Sequence, residues 1–327
     1  MLSLPDFKYK QIAVHIAGGS REKLRFRADN ILIEDGNGKI LFQHSCHRLF
    51  ALFIIGETVL TTPAIHNAVQ FGFPIILMNR NMKVIARINS GAEGNTLLRR
   101  RQYLAGEPQK LETAKKLIGF KVNNQKILLS QLRYLSEEDK QIRNELEQFD
   151  VSSAENRNEL MGFEGNASRL FFSAYFRPMK WRRREPRCRQ DIWNLLLDIG
   201  YTYLFNFVEG MLSLYGFDLY CGVLHTFFYQ RKSLVCDMVE PFRCIIDHRL
   251  RKAYNLGQID EGDFFFRDHK YNLEWEKQQK YTRLFMKDIL EEKEKIFKFF
   301  QSYYRWFMKS QSVELFPVYS IKDDTAT

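Results

Sequence analysis

Short runs of β-branched or alternating apolar residues recur through the first part of the chain: IAVHIA from Ile12, KLRFRAD from Lys23, ILIED from Ile31 and KILFQHS from Lys39. Such runs predict strands. Gly36-Asn37-Gly38 separates the last two and predicts a hairpin turn. A short helix over Pro63 to Gln70 leads into a buried strand, Phe73 to Asn79. Arg80-Asn81 then turns the chain into KVIARIN.

From Asn95 onward the spacing becomes helical. Leu97, Leu98, Tyr103 and Leu104 mark one helix. Leu111 to Leu132 carries Leu117, Ile118, Val122, Ile127 and Leu128 at mostly helical intervals. In Trp275 to Lys309, Phe285, Ile289, Ile296, Phe300, Tyr304 and Phe307 repeat in the same way. Gly91 to Gly94 (GAEG) forms the expected hinge. The reading is an α+β multidomain chain: a small N-terminal β domain over 1–92, a larger all-α domain over 95–316 and a tail over 317–327, with KDDTAT frayed.

Two apolar stretches raise the question of a membrane. Leu49 to Leu60 is too short to span one. Ile192 to Tyr215 is long enough, but Asn194, Asp198, Asn206 and Glu209 interrupt it, so it reads as a core helix. MLSLPDFKYK lacks the apolar centre of a signal peptide. The five cysteines are odd in number and form no CxxC pair, which fits free thiols in a reducing cytoplasm.

The 327 residues suit two domains, and 45% hydrophobic with 27% charged residues is a globular composition. The net charge of +10 favours a polyanionic partner, either nucleic acid or an acidic membrane surface. The densest basic run is RPMKWRRREPRCR, with Arg177, Lys180, Arg182, Arg183, Arg184, Arg187 and Arg189 against a single Glu185. Contacts from such a run bind phosphates and carry little sequence information. Arg99, Arg100 and Arg101 form a second cluster that reads equally as a solvated helix face. Trp181 suits stacking on an unpaired base or packing on the protein. His44, Cys46 and His47 have no second ligand pair at a spacing that suits zinc.

Three segments of the helical half carry candidate chemistry. Glu164 lies between Gly162 and Gly165 at what reads as a helix start, where glycines let a phosphate approach. Taken alone, it reads as a cap. His225 sits among Val223, Leu224, Phe227 and Phe228, a setting more usual for a core histidine. Asp237 and Glu240 are three apart, which on a helix places both acids on one face. That arrangement calls for positive charge between them, either Arg243 or Arg231, or a divalent cation. Carboxylates suit Mg²⁺ and Mn²⁺, and an imidazole tilts the choice toward Mn²⁺ or Zn²⁺.

Taken in order, these segments resemble the CRISPR-associated integrase/endonuclease family of CRISPR adaptation. The matching residues are Gly162-Phe163-Glu164-Gly165 with Ala167 and Phe171-Phe172; Asn194 and Gly200-Tyr201; Gly216-Phe217-Asp218; Gly222-Val223-Leu224-His225; Ser233-Leu234, Asp237 and Glu240-Pro241-Phe242-Arg243. Leu219 and Cys244 stand where that family often has proline. The resemblance covers nearly the whole chain.

It implies an antiviral-defence enzyme that inserts short double-stranded DNA fragments into a CRISPR repeat array by 3′-hydroxyl attack on a phosphodiester. Glu164, His225 and Glu240 would hold Mg²⁺ or Mn²⁺, and Asp237 would join the metal or support it. The resemblance also implies a homodimer formed through the β domains and a small ferredoxin-like CRISPR partner. Two other functions compete. One is a structure-selective nuclease on branched DNA in repair. The other is a non-catalytic nucleic-acid scaffold in which the acids only form salt bridges.

Overall fold

The computed structural model describes residues 3–18, 21–79, 84–88, 94–225, 228–309 and 312–321. The turn expected at Arg80-Asn81, the first three residues of the expected hinge and KDDTAT lie outside the described residues. The chain divides into two compact units. One comprises Met1–Asn95, Ser213–Gly216 and Leu273–Lys280; the other comprises Thr96–Leu212, Phe217–Asn272 and Tyr281–Thr327.

The first unit opens with helix α1 (Leu4–Lys8), capped by Ser3, and continues through strands β1 (Gln11–Ile16), β2 (Lys23–Arg27), β3 (Asn30–Glu34) and β4 (Ile40–Ser45). Then come β5 (Leu49–Ile55), β6 (Val59–Leu60), helix α2 (Thr62–Phe71), β7 (Ile75–Met78) and β8 (Val84–Ile88). One sheet has the order β1-β5-β7-β8 and the other β4-β3-β2-β6. The expected hairpin joins β3 and β4. The Asp35 carboxylate accepts from the Asn37 and Lys39 amides at 2.8 and 2.9 Å, and Gly38 takes φ +81°, which favours glycine.

Sequence periodicity missed β5. Every residue of LFALFII is buried, and parallel neighbours flank it, with Ala13 and Ile75 opposite Leu52. A strand covered on both faces has no polar side to alternate with, so it reads as a plain apolar run. Leu24, Ile31 and Ile33 from one sheet pack with Leu49, Leu52, Ile54 and Ile75 from the other and with Ala64 and Ala68 of α2 to form the core.

The second unit is mostly helical and holds all or most of α3 (Thr96–Leu104), α4 (Glu107–Ser130), α5 (Glu137–Glu147), α6 (Arg157–Tyr175), α7 (Ile192–Tyr215), α8 (Ser233–Val239), α9 (Arg243–Asn255), α10 (Gln278–Glu291) and α11 (Lys293–Lys309). It also contains a departure from the all-α expectation. β9 (Phe264–Arg267) and β10 (Lys270–Leu273) pair across Asp268-His269, whose φ values of +53° and +58° suit a tight hairpin turn. The stretch from Trp275 to Lys309, expected to be helical, holds two helices, α10 and α11, divided at Glu292. The first described residues of the expected tail are packed. Tyr319 is buried against Phe242, with ring centroids 4.5 Å apart, and the Ile321 amide donates to Asn124 at 3.0 Å. Among the described residues, no helix is long and apolar enough to cross a membrane.

Helix α7 is buried on most of its circumference, as Leu196, Tyr203, Leu204, Val208 and Met211 show. Gly200 lets α9 and α10 approach it closely, because a Cβ there would meet Ile246 Cγ2 at 2.5 Å and Phe285 at 3.0 Å. In an open helix, Gly→Ala stabilises by about 0.5–1 kcal/mol. At this site the clash reverses the sign, and Gly200→Ala is expected to cost about 1–3 kcal/mol. Urea unfolding checks this, and an equal or higher midpoint contradicts the packing argument.

Candidate active site

Helix α4 supplies the centre of the site. Leu117, Lys121, Gln125 and Leu128 follow one another along one face, and all four are buried. A lysine and a glutamine in an apolar stripe require polar partners. Lys121 Nζ donates to Glu164 Oε1 and reaches Glu240 Oε2 at 2.7 Å. Three positions on from Lys121, the Asn124 amide donates to the Pro241 carbonyl at 3.0 Å. The same helix therefore anchors both the Glu240 side chain and the turn that carries it.

Glu164 is not at a helix start. Asn156 caps α6, accepting from the amides of Asn158 and Glu159 at 3.0 Å each, and Glu164 lies two turns further in. The two glycines suggested an opening, but a helix tolerates them at modest cost. A Cβ at Gly162 or Gly165 would meet nothing within 4 Å, so the surface flanking Glu164 is open. Ser168, one turn on, donates to Glu164 Oε1 at 3.0 Å.

Asp237 and Glu240 do not share a task. Asp237 belongs to α8, whereas Glu240 opens a 3-10 turn with Pro241 and Phe242. Asp237 is buried and points back at the loop before α8. Its Oδ2 accepts from the Val223 and Leu224 amides at 2.6 and 3.0 Å. Its Oδ1 accepts from the His225 amide at 3.1 Å and from His225 Nδ1 at 2.5 Å. With Nδ1 the donor, the acceptor lone pair of the imidazole lies on Nε2. Gly222 is required where this loop closes, because a Cβ there would meet the His225 carbonyl at 2.7 Å and Asp237 Oδ2 at 2.8 Å.

Arg243 completes the Glu240 environment, with Nε 2.9 Å from Oε2. Burial alone would raise the Glu240 carboxyl, but Arg243 and Lys121 hold it at about 2. Burial likewise would lower the Lys121 ammonium, yet Glu240 and Glu164 outweigh it and keep the group above its ordinary value. Arg243 also lies over the Tyr201 ring, 4.6 Å from the centroid, and Arg184 lies 5.5 Å from that centroid. The Tyr201 hydroxyl donates to Asp247 at 2.5 Å, and burial pushes the Asp247 carboxyl up to about 7.

The basic segment divides by partner. Arg177 is engaged by Asp139 at 2.7 Å and Glu138 at 2.9 Å, and Arg184 by Asp198 at 2.5 Å and Asn194 at 2.9 Å. Arg183 pairs with Glu185. Lys180, Arg182 and Arg187 are exposed, and the Arg189 carbonyl accepts from the Tyr271 amide at 2.9 Å. Trp181 packs edge-on against Phe172 and Phe176, each at 5.3 Å, so its ring is engaged by the protein. Arg101 donates to the carbonyls of Phe307 and Met308 at the end of α11.

The sequence candidates thus form two pairs, Glu164 with Glu240 around Lys121, and His225 with Asp237. Among the described residues, no three His, Cys, Asp or Glu side chains group closely enough to hold a metal ion. The glutamate pair nevertheless fits a hard cation in chemistry, since two carboxylate oxygens from different helical segments already share one positive centre. The sequence did not single out Lys121, Asn124 or Asp247, and it marked Tyr201 only as part of the Gly200-Tyr201 match. The visible signal was a lysine and a glutamine inside the apolar stripe of α4.

A pH prediction follows from Glu240. Its folded pKa lies below the ordinary 4.5, so its stabilising contribution is present above pH 4.5 and is lost as pH falls toward about 2. With EDTA present, Glu240→Gln is expected to lower stability at pH 7 by about 3 kcal/mol and to flatten the decline between pH 5 and pH 3. Urea midpoints at the three pH values test both parts.

A family model described as CRISPR associated protein Cas1 matches residues 18–287. The CRISPR-associated endonuclease Cas1 1 of Thermodesulfovibrio yellowstonii is 31% identical over 226 residues, covering 63% of this chain and 70% of that protein. The protein of the same name from Archaeoglobus fulgidus is 27% identical over 291 residues, covering 80% and 83%. Among solved structures, a CAS1 protein from Thermotoga maritima has a TM-score of 0.80 at 18% identity, covering 96% of this chain and 100% of its own. A casposase bound to integration product has a TM-score of 0.76 at 17% identity, covering 96% of each chain. With the family model spanning both units and all the paired acidic and imidazole side chains, the chain belongs to the CRISPR-associated Cas1 family.

Proposed function

We propose that this endonuclease-family chain joins short double-stranded DNA fragments to a CRISPR repeat, with Glu164, Glu240 and His225 as its metal-holding residues. The observation that carries the reading is the convergence of Glu164 and Glu240 on one cationic point, in a unit where Asp237 orients a histidine. The names of the relatives, CRISPR-associated endonucleases, and the casposase integration product support it.

Bound Mg²⁺ or Mn²⁺ would polarise the scissile phosphate and favour ionisation of the attacking hydroxyl. The rest of the task falls to the chain. Glu164 and Glu240 offer carboxylate oxygens, and His225 offers Nε2. Asp237 is a positioning residue, because its oxygens already accept four hydrogen bonds. The glycine-flanked surface beside Glu164 admits a DNA backbone. The 3′-hydroxyl oxygen forms a bond to phosphorus as the original ester bond breaks, so one phosphodiester replaces another and no ATP is consumed. With water as nucleophile the same site nicks DNA.

Exposed Lys180, Arg182 and Arg187 hold phosphates, with Arg183 and Arg189 beside them, whereas Arg177 and Arg184 serve chiefly to shape the segment. The reading includes a homodimer formed through the β units. It also includes a small ferredoxin-like partner that spaces two sites along the DNA, in keeping with the structural likeness to a chain of a Cas6-RT-Cas1–Cas2 complex. The setting is the cytoplasm of a prokaryote.

The test is joining of a fragment with free 3′-hydroxyls to a repeat-bearing plasmid. Glu164→Gln and His225→Ala are each expected to reduce joined product by at least about 100-fold, and Asp237→Asn by about 10–100-fold. Cleavage of branched DNA with no joined product would move the reading to a repair nuclease; unchanged joining in all three variants would remove the site.

Replacing both Arg182 and Arg187 by Ala is expected to weaken binding equally for all DNA sequences. It should also reduce the slope of log affinity against log salt by about one per lost phosphate contact. Fluorescence anisotropy across a salt series measures both, and an unchanged slope places the DNA elsewhere.

A further inference from the structure

We propose that Lys121 is a resident counter-cation, a positioning residue that holds Glu164 and Glu240 on one point and yields that point to the divalent ion. The inference rests on the proposed role of the two glutamates as metal holders.

The geometry leaves room for one cation. Lys121 Nζ bonds Glu164 Oε1 and lies 2.7 Å from Glu240 Oε2. Two oxygens at hydrogen-bond distance from one nitrogen lie within about 6 Å of each other. Mg²⁺ binds oxygen at about 2.0–2.1 Å. An ion bound to both carboxylates would therefore sit within a few ångströms of the ammonium. Between +2 and +1 charges at that range the repulsion is large even at an effective dielectric of about 20.

Lys121 is built to move and Arg243 is not. The lysine is a point charge on a flexible four-carbon stem rooted in α4. Arg243 also contacts Glu240, but its plane is held over Tyr201, 4.6 Å from the ring centroid. Glu164, Glu240, Lys121 and Arg243 sum to zero formal charge, so the pair is neutralised before any divalent ion arrives. Without Lys121, Arg243 alone would stand against two carboxylates, only one of which it touches.

The experiment is calorimetric titration of Mn²⁺ into the full chain, comparing wild type, Lys121→Met and Glu164→Gln. Lys121→Met is expected to bind Mn²⁺ at least about tenfold more tightly than wild type, because the competing charge is gone. Glu164→Gln is expected to bind more weakly than wild type. If wild type binds Mn²⁺ and Lys121→Met binds it no more tightly, the competition is refuted while the metal-holding role of the glutamates stands. If neither wild type nor Lys121→Met binds Mn²⁺, the metal-holding role fails and this inference fails with it.

Because Lys121→Met removes a buried counter-charge and can compromise folding, the unaltered chain is tested as well. Acetylation of Lys121 by an amine-reactive reagent, read by mass spectrometry, should rise several-fold when Mg²⁺ is added. Labelling that does not change with Mg²⁺ overturns the proposal.

Discussion

Two carboxylates from distant parts of the chain share a largely buried position because positive charge stands between and beside them. Glu164 and Glu240 are tied together by Lys121, and Arg243 closes the far side of Glu240. Remove the cations and the acids face both desolvation and mutual repulsion, each larger than most single contacts in a folded chain. Much of the surrounding architecture keeps these four groups in register. Asn124 grips the Pro241 carbonyl, and Phe242 is wedged among Phe299, Phe300 and Tyr319 at centroid distances of 5.3, 5.8 and 4.5 Å.

The local chain course lets two acids three residues apart face different ways. Helix α8 ends at Val239, and Glu240-Pro241-Phe242 forms a 3-10 turn before α9 resumes. Proline has no amide hydrogen to extend the α-helical ladder, so the turn tightens there. Asp237, still helical, reaches the loop at 223–225, while Glu240 reaches α4. The Tyr201 ring then connects Arg243 with Arg184, itself held by Asp198. Arg184 of the basic segment and Arg243, the partner of Glu240, thus meet across one buried aromatic ring.

Much of this was legible in the sequence, for identifiable reasons. Strand β2 alternates visibly, with exposed Arg25 between buried Leu24 and half-buried Phe26, and the hairpin glycine after β3 was equally plain. Strand β5 does not alternate, because both its faces are covered. The β9–β10 hairpin escaped notice because Phe264, Phe265 and Phe266 are consecutive aromatics and only the first is buried. Glu164, His225, Asp237 and Glu240 stood out by residue type and order. Their pairing did not, since nothing in the spacing tells which acid meets which imidazole. Lys121 was hidden for a different reason: a lysine on an amphipathic helix is ordinarily a surface residue, and only its partners make it an interior one. Counting arginines likewise overstated the free positive charge near residue 180, because acids elsewhere in the fold engage Arg177 and Arg184.

The loop before α8 has one more consequence. Three successive backbone amides and one ring nitrogen all end on the same buried carboxylate. The rotational freedom of the His225 ring is therefore surrendered when the chain folds, not when a ligand arrives. Association at Nε2 then carries little entropic penalty for ordering that ring, and more of the gross attraction appears as affinity.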